Sequence, residues 1–235
     1  MTTLYGQFGT GYLTVTDWTT SGYNFVFVPG TADVGSQANG AANHQPKESP
    51  GQYNAGNGYG NTYLWGSNNG GTQTITAPPN GSNFLALDGD SSLSGKVSQT
   101  ITGLTVGQLY SVSFSWAAAQ QESFTGTTSE SIAVSLGGST ATTGTFDLAS
   151  KSFSGWMQDT VYFTATGTSE TLSFLAVGTP NGEPPFSLLA NVDMEIVPDS
   201  SNWMVFAGFG MFCIVFKVVR RRRRESGFEP DCGTA

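Results

Sequence analysis

The sequence predicts an all-β protein, an antiparallel β-sandwich over residues 1–196 followed by a single C-terminal transmembrane helix. Three observations predict it. Gly, Thr and Ser supply 86 of the 235 residues, while charged residues supply only 11%. Ordinary soluble proteins carry roughly 25% charged residues, so the residues that build exposed helices are scarce here. Short β-type runs recur between Gly, Asn, Pro and Ser turns, the pattern of a sandwich. Near the C-terminus a charge-free apolar stretch leads into five consecutive arginines, Arg220, Arg221, Arg222, Arg223 and Arg224. Hydrophobic residues at 38% leave material for a core and exclude wholesale disorder.

The runs follow in order. Residues 23–28 end at Pro29-Gly30, and residues 83–88 end at Gly89. Residues 96–101 and 109–118 flank the turn Thr102-Gly103 to Gln108. In the second of these, Ser111, Ser113 and Ser115 alternate with Tyr110, Val112, Phe114 and Trp116. That period of two marks a half-buried strand. Residues 132–136, 160–165, 171–177 and 188–197 complete a set of roughly nine to eleven strands. Residues 35–72 differ: they are rich in Gly and Asn, with Tyr53, Tyr59, Tyr63 and Trp65 scattered through them. So long a structureless stretch is unusual inside a compact domain. It reads as a surface excursion with one short strand at residues 63–65.

Charge divides the chain. Residues 1–199 hold 14 acids against Lys47, Lys96 and Lys151, a net of −11, while residues 200–235 hold six bases and three acids, a net of +3. An acidic body without arginine excludes phosphate-backbone recognition, so no nucleic-acid partner is expected. Residues 203–219 make a 17-residue apolar segment interrupted only by Lys217. At 1.5 Å per residue this is about 26 Å, the short end of a membrane span. Lys217 can snorkel to the headgroups, and Trp203 is placed at the opposite interface. The cluster Arg220, Arg221, Arg222, Arg223 and Arg224 then orients the span by the positive-inside rule. It sets the C-terminus and the tail 225–235 in the cytoplasm and residues 1–196 outside.

Val197-Pro198-Asp199, a polar spacer, the apolar span and the arginine cluster together resemble the PEP-CTERM sorting signal of Gram-negative bacteria over residues 197–224. The resemblance implies recognition by a membrane protease, exosortase, and delivery of the ectodomain to the cell surface or the extracellular polymer. Asp199 and Ser200 depart from the family's Glu and second Pro, and residues 225–235 run past the usual end. The start at Met1 carries neither a basic n-region nor an apolar stretch, so a leader upstream of Met1 is expected. Cys213 and Cys232 lie in the span and the tail. The body can therefore hold no disulfide and no cysteine-based metal site.

Residues 101–117 resemble the central hairpin of galactose-binding-like jelly rolls, a group related to carbohydrate-binding modules. Residues 188–197 are similar to their closing strand, and Gly6-Gln7-Phe8 with residues 18–22 to their opening strand and turn. The resemblance spans most of residues 5–198 and implies a jelly-roll order of strands. A ligand does not follow from a fold.

Chemistry is sparse. His44 is the sole histidine and sits in the excursion, without the orienting carboxylate that a triad base needs. The acids are dispersed along strand ends and turns, so the pair that a glycosidase holds across a cleft is not evident. Asp88 and Asp90, flanking Gly89, are candidate calcium ligands, because calcium takes six to eight hard oxygens; a strand-ending turn is the competing and simpler explanation. With one His and no body Cys, a zinc site is not expected. Sugar recognition needs an aromatic ring beside amides or acids. Tyr63 with Trp65, Trp116 with Gln120 and Gln121, and Trp156 with Gln158 and Asp159 are the candidate sets. Trp116 is expected in the core, where most sandwich aromatics go. The reading is an exported, membrane-anchored surface or matrix protein with a non-catalytic, carbohydrate-binding module, needing no cofactor beyond the candidate calcium. A polysaccharide-active hydrolase and a structural matrix protein without a ligand are the alternatives.

Overall fold

Residues that alternate polar and apolar along an extended chain can bury only one face, and two such sheets must pack together to do so. The computed structural model describes residues 6–8, 14–33 and 62–198. Among them are twelve strands and no helix. They are β1 (Gly6–Gln7), β2 (Thr19–Ser21), β3 (Asn24–Phe27), β4 (Phe84–Asp88), β5 (Lys96–Thr102) and β6 (Leu109–Gln120). There follow β7 (Thr128–Leu136), β8 (Ser139–Thr142), β9 (Phe146–Leu148), β10 (Met157–Thr164), β11 (Ser169–Thr179) and β12 (Pro185–Ile196). The first sheet runs β1-β3-β4-β12-β6-β10, and the second runs β2-β5-β11-β7-β8, with β9 also on β7. Every pairing is antiparallel. Strands β4 to β7 alternate between the sheets and β10 to β12 do so again, which is a jelly-roll winding.

The alternation of β6 is realised. Val112, Phe114 and Trp116 turn inward and join Ile132 and Val134 of β7 and Phe174 of β11 in one core between the sheets. Trp116 is 4% exposed, as its place in the pattern required. Burying one such Phe stabilises the fold by roughly 2–3 kcal/mol. Tight turns close the sandwich. At Gly22, φ is +78° and a Cβ would lie 2.2 Å from the Leu93 carbonyl oxygen, so only glycine fits.

A second apolar cluster lies on the outward side of the first sheet, where Phe25, Phe27, Phe84, Phe186 and Leu188 meet Leu64, Ile75 and Phe153. Here the surface excursion expected over residues 35–72 is corrected. Its described end packs down on the sheet, with Tyr63, Leu64 and Trp65 buried. In place of a strand at residues 63–65 there is one isolated bridge, Leu64 to Gln121. The apolar outward side chains of β3, β4 and β12 explain the change, because an uncovered cluster of phenylalanines would stay in water.

Strand β12 carries a bulge between Ala190 and Asp193, with Asn191 at φ +55°. Before it, Phe186, Leu188 and Ala190 face outward and Leu189 faces the core. The inserted residue reverses the phase. After it, Val192 and Met194 pack on the core, and Asp193 and Glu195 face outward opposite Ser113 and Ser111 of β6.

The chain divides into two units, Met1–Ile196 and Val197–Ala235. Of the second only Val197 and Pro198 are described. Asp199, the apolar segment 203–219 and the tail 225–235 lie outside the described residues. So do the orienting arginines Arg220, Arg221, Arg222, Arg223 and Arg224, and so does His44. Among the described residues no helix is long and apolar enough to cross a membrane.

Candidate functional site

The outward side of the first sheet has two halves with different chemistry. One is the covered aromatic cluster. The other is open and is built from β10, β6 and β12. Its first row is Gln158, Ser115 and Asn191, joined by hydrogen bonds. The Gln158 side chain donates to Ser115 Oγ at 2.7 Å, and Asn191 Nδ2 donates to the same oxygen at 3.0 Å. Ser82 Oγ donates in turn to Asn191 Oδ1 at 3.2 Å. The next row pairs Thr160, Ser113 and Asp193, and the one beyond pairs Tyr162, Ser111 and Glu195. Neighbouring strands lie about 4.8 Å apart, so Tyr162 and Glu195 are separated by about 10 Å across β6.

Tyr162 is 59% exposed, the one aromatic among the exposed large hydrophobic side chains of the described residues. Gln158, Thr160, Asp193 and Glu195 are exposed with it. At the boundary with the covered half stands Trp156, half-buried. Its Nε1 donates to the Thr76 carbonyl at 2.9 Å, and its ring meets Phe84 edge-on at 5.5 Å. Phe84 belongs to the outward cluster, so Trp156 and Tyr162 share one side of the sheet. The open half thus combines a free ring face with amides, hydroxyls and carboxylates, the groups that bind a polyhydroxylated ring.

The structure does bring the candidates Tyr63, Trp65, Gln120 and Gln121 together, though inside the fold. Trp65 N donates to the Gln120 carbonyl at 2.9 Å, and Glu122 N to the Tyr63 carbonyl at 2.8 Å. Gln120 is fully buried: its Oε1 accepts from Lys151 N at 2.8 Å and its Nε2 donates to the Gly126 carbonyl at 3.1 Å. Trp65 Nε1 donates to the Phe124 carbonyl, and Lys151 Nζ sits 4.5 Å above the ring. The notch beside Trp65, of about 430 Å³, therefore has its aromatic face already covered by a cation. Gln121 is half-buried. These residues pin residues 62–72 and Lys151 to the sheet instead of offering a stacking surface. Of the third set, Trp156 and Gln158 reach the open face. Asp159 is used locally, its Oδ1 accepting from Thr160 N at 2.7 Å.

Asp88 and Asp90 are both buried and flank Gly89 at the end of β4. Asp90 accepts from Ser92 N and Oγ through Oδ1 and from Gly182 N through Oδ2. The Ser92 hydroxyl first, then the Gly182 and Ser92 amides, hold its carboxyl below the usual range. Asp88 Oδ1 accepts from Asp90 N at 2.8 Å, and its Oδ2 is sealed inside the fold. The pair ties the turn after β4 to the turn before β12: both Asp90 oxygens accept from donors of these turns, while Asp88 keeps one buried oxygen that accepts from none among the described residues. Among the described residues no group of three or more acidic, His or Cys side chains could hold a metal.

Two carboxyls are strongly perturbed. Burial pushes Glu130 up to about 8 against a hydrogen bond from Thr128, with the charge of Asp147 adding to the rise. Burial likewise pushes Asp88 up to about 7, opposed by the Asp90 amide. Both side chains are 0% exposed, so neither can reach a substrate. Glu170 goes the other way, lowered first by the Thr166 hydroxyl, and it closes the turn before β11.

The class defined here is an all-β sandwich with one sheet face half covered and half open and polar. Residues 39–194 match the family described as "Protein of unknown function (DUF642)", more than half of the chain, and the chain belongs to that family. No curated protein matches. Among solved structures, the chain is similar to TmCBM61 in complex with β-1,4-galactotriose (14% identity, TM-score 0.34, 58% of this chain and 82% of that one). It is also similar to the carbohydrate-binding module CBM36 with calcium and xylotriose (18%, 0.30, 48% and 79%). A third is the EclA C-terminal domain, a sugar-binding protein (15%, 0.35, 64% and 100%). The sandwich stands on its own strand register, and no ligand passes from those proteins to this chain.

Proposed function

We propose that this protein is a non-catalytic carbohydrate-binding protein whose ligand lies on the open face of β10, β6 and β12. The observation that carries the reading is Tyr162, an exposed ring in one row with Ser111 and Glu195, on the same face as the Gln158–Ser115–Asn191 hydrogen-bond chain two rows away. Sugar rings offer an apolar face for the tyrosine and hydroxyls for the amides and carboxylates. Binding without turnover is supported by the placement of the perturbed acids: Asp88 and Glu130 are sealed inside and Glu170 closes a turn. Affinity electrophoresis of the full chain in gels containing β-1,4-galactan, xylan or β-glucan tests the reading. At least one polysaccharide retards the wild type, and Tyr162→Ala weakens that binding about tenfold, the worth of one aromatic contact. Retardation by none of them contradicts it.

The protein is further proposed to be exported and held in the membrane by residues 203–219. Arg220, Arg221, Arg222, Arg223 and Arg224 then lie on the cytoplasmic side, and Val197-Pro198-Asp199 is the motif read by an exosortase-type enzyme. The apolar length and the arginine block support this. Protease added to spheroplasts of a Gram-negative host, expressing the chain behind a leader, is expected to remove the sandwich and spare a C-terminal tag. The reverse pattern contradicts the topology.

A further inference from the structure

A strand presents every second residue on one side, so one face of β10 and the residue before it reads Trp156, Gln158, Thr160, Tyr162. The two aromatics bracket two hydrogen-bonding side chains. They are six residue steps apart, about 20 Å at 3.3 Å per step, the length of roughly four linked pyranose rings. Alongside run Ser115, Ser113 and Ser111 of β6, and beyond them Asn191, Asp193 and Glu195 of β12. Polar groups therefore accompany the strip at each step of the pleat. The strip is a surface, not a pit: Gln158, Thr160, Tyr162, Asp193 and Glu195 are all exposed. A site that captures a chain end must enclose the terminal ring and satisfy its extra hydroxyl, and exposed side chains in flat rows enclose nothing. The bulge in β12 is what completes the strip, since without the phase reversal at Asn191 the apolar Val192 and Met194 would face it.

We infer that the open face binds the interior of an unbranched polysaccharide lying along β10, with Trp156 and Tyr162 as the outermost contacts. This rests on the carbohydrate reading and narrows it to a ligand class and a mode of contact. A series of β-1,4-linked galacto-, xylo- and gluco-oligosaccharides of two to six units, titrated calorimetrically into the full chain, tests it. For the series that binds, affinity rises with each unit up to about four and then levels off, and borohydride reduction of the terminal sugar leaves a hexasaccharide's affinity unchanged. Trp156→Ala lowers affinity for the hexasaccharide about tenfold and for the disaccharide less than twofold. Because Trp156 packs on Phe84, Gln158→Arg is the companion variant: it obstructs the middle of the strip from an exposed position and is expected to abolish the gain between two and four units. A disaccharide that binds as tightly as the hexasaccharide, or a hexasaccharide that loses affinity on reduction, overturns the inference and leaves carbohydrate binding standing. Failure of every oligosaccharide and polysaccharide to bind overturns both.

Discussion

Glu130 shows what burial does to a single side chain in this protein. It lies on the inward side of β7 with Ile132 and Val134, fully buried, its Oε2 lacking a hydrogen-bond partner among the described residues. Its carboxyl is raised to about 8 from the usual 4.5, so the folded state keeps a proton that the unfolded chain has released. Folding then takes up a proton, and stability falls as pH rises from about 4.5 through about 8, flattening above that. Asp88 contributes in the same direction between about 3.8 and about 7. Urea midpoints are expected to be lower at pH 9 than at pH 5. Glu130→Gln, which keeps an acceptor for Thr128, is expected to raise the midpoint at pH 9 and reduce the difference. An unchanged difference in the variant would show that the buried acid is not its source. Tyr162 is not legible in the sequence as a site residue, although its strand is. In Val161-Tyr162-Phe163 three large side chains follow one another, and these three alone do not say which turns outward. The polar alternation of Gln158, Thr160 and Thr164 is the available signal, because Tyr162 falls in phase with them.

The long strands are the legible elements. β6 declares itself by its serines, β11 by Leu172, Phe174 and Ala176, and the turns by glycine. The short strands β8 and β9 escape notice because three or four residues cannot display a period. Residues 62–72 escape for a different reason: what holds them is tertiary, the burial of Leu64, the bond that Trp65 N donates to the Gln120 carbonyl and the one that the Tyr63 carbonyl accepts from Glu122 N. The bulge is equally hidden. Asn191 accepts a left-handed backbone more readily than most residues, but only the partner strand shows that it does. Asn191→Val is expected to destabilise the protein by about 1–2 kcal/mol and to weaken glycan binding as Asp193 and Glu195 lose their outward phase. Asn191→Gly keeps the backbone and should cost less stability. Denaturant melts of the two variants distinguish them, and equal losses would argue against strain at this position.

At the scale of the whole molecule, charge and hydropathy separate two tasks. The acidic body has its few lysines away from the open face: Lys96 lies on the second sheet and Lys151 over Trp65. The face itself carries Asp193 and Glu195 and no cation among the described residues. Acidic polysaccharides should therefore bind more weakly than uncharged ones, and more so at low salt, where repulsion is unscreened. Binding of polygalacturonate that matches a neutral polysaccharide at low ionic strength would count against this placement of the ligand. The proposed C-terminal span rests on the sequence alone, on the length and composition of residues 203–219. The ligand face is not, since recognition depends on three strands distant in sequence.

Sugar is proposed to bind at Tyr162 on the open face and not at Trp65. Titration of the full chain with the polysaccharide that retards it, beside Tyr162→Ala and Lys151→Ala, tests this most directly, with thermal melts confirming that all three are folded. Tyr162→Ala is expected to lose about tenfold in affinity, and Lys151→Ala to bind unchanged. Full binding by Tyr162→Ala together with loss in Lys151→Ala would contradict the proposal and move the site to the notch.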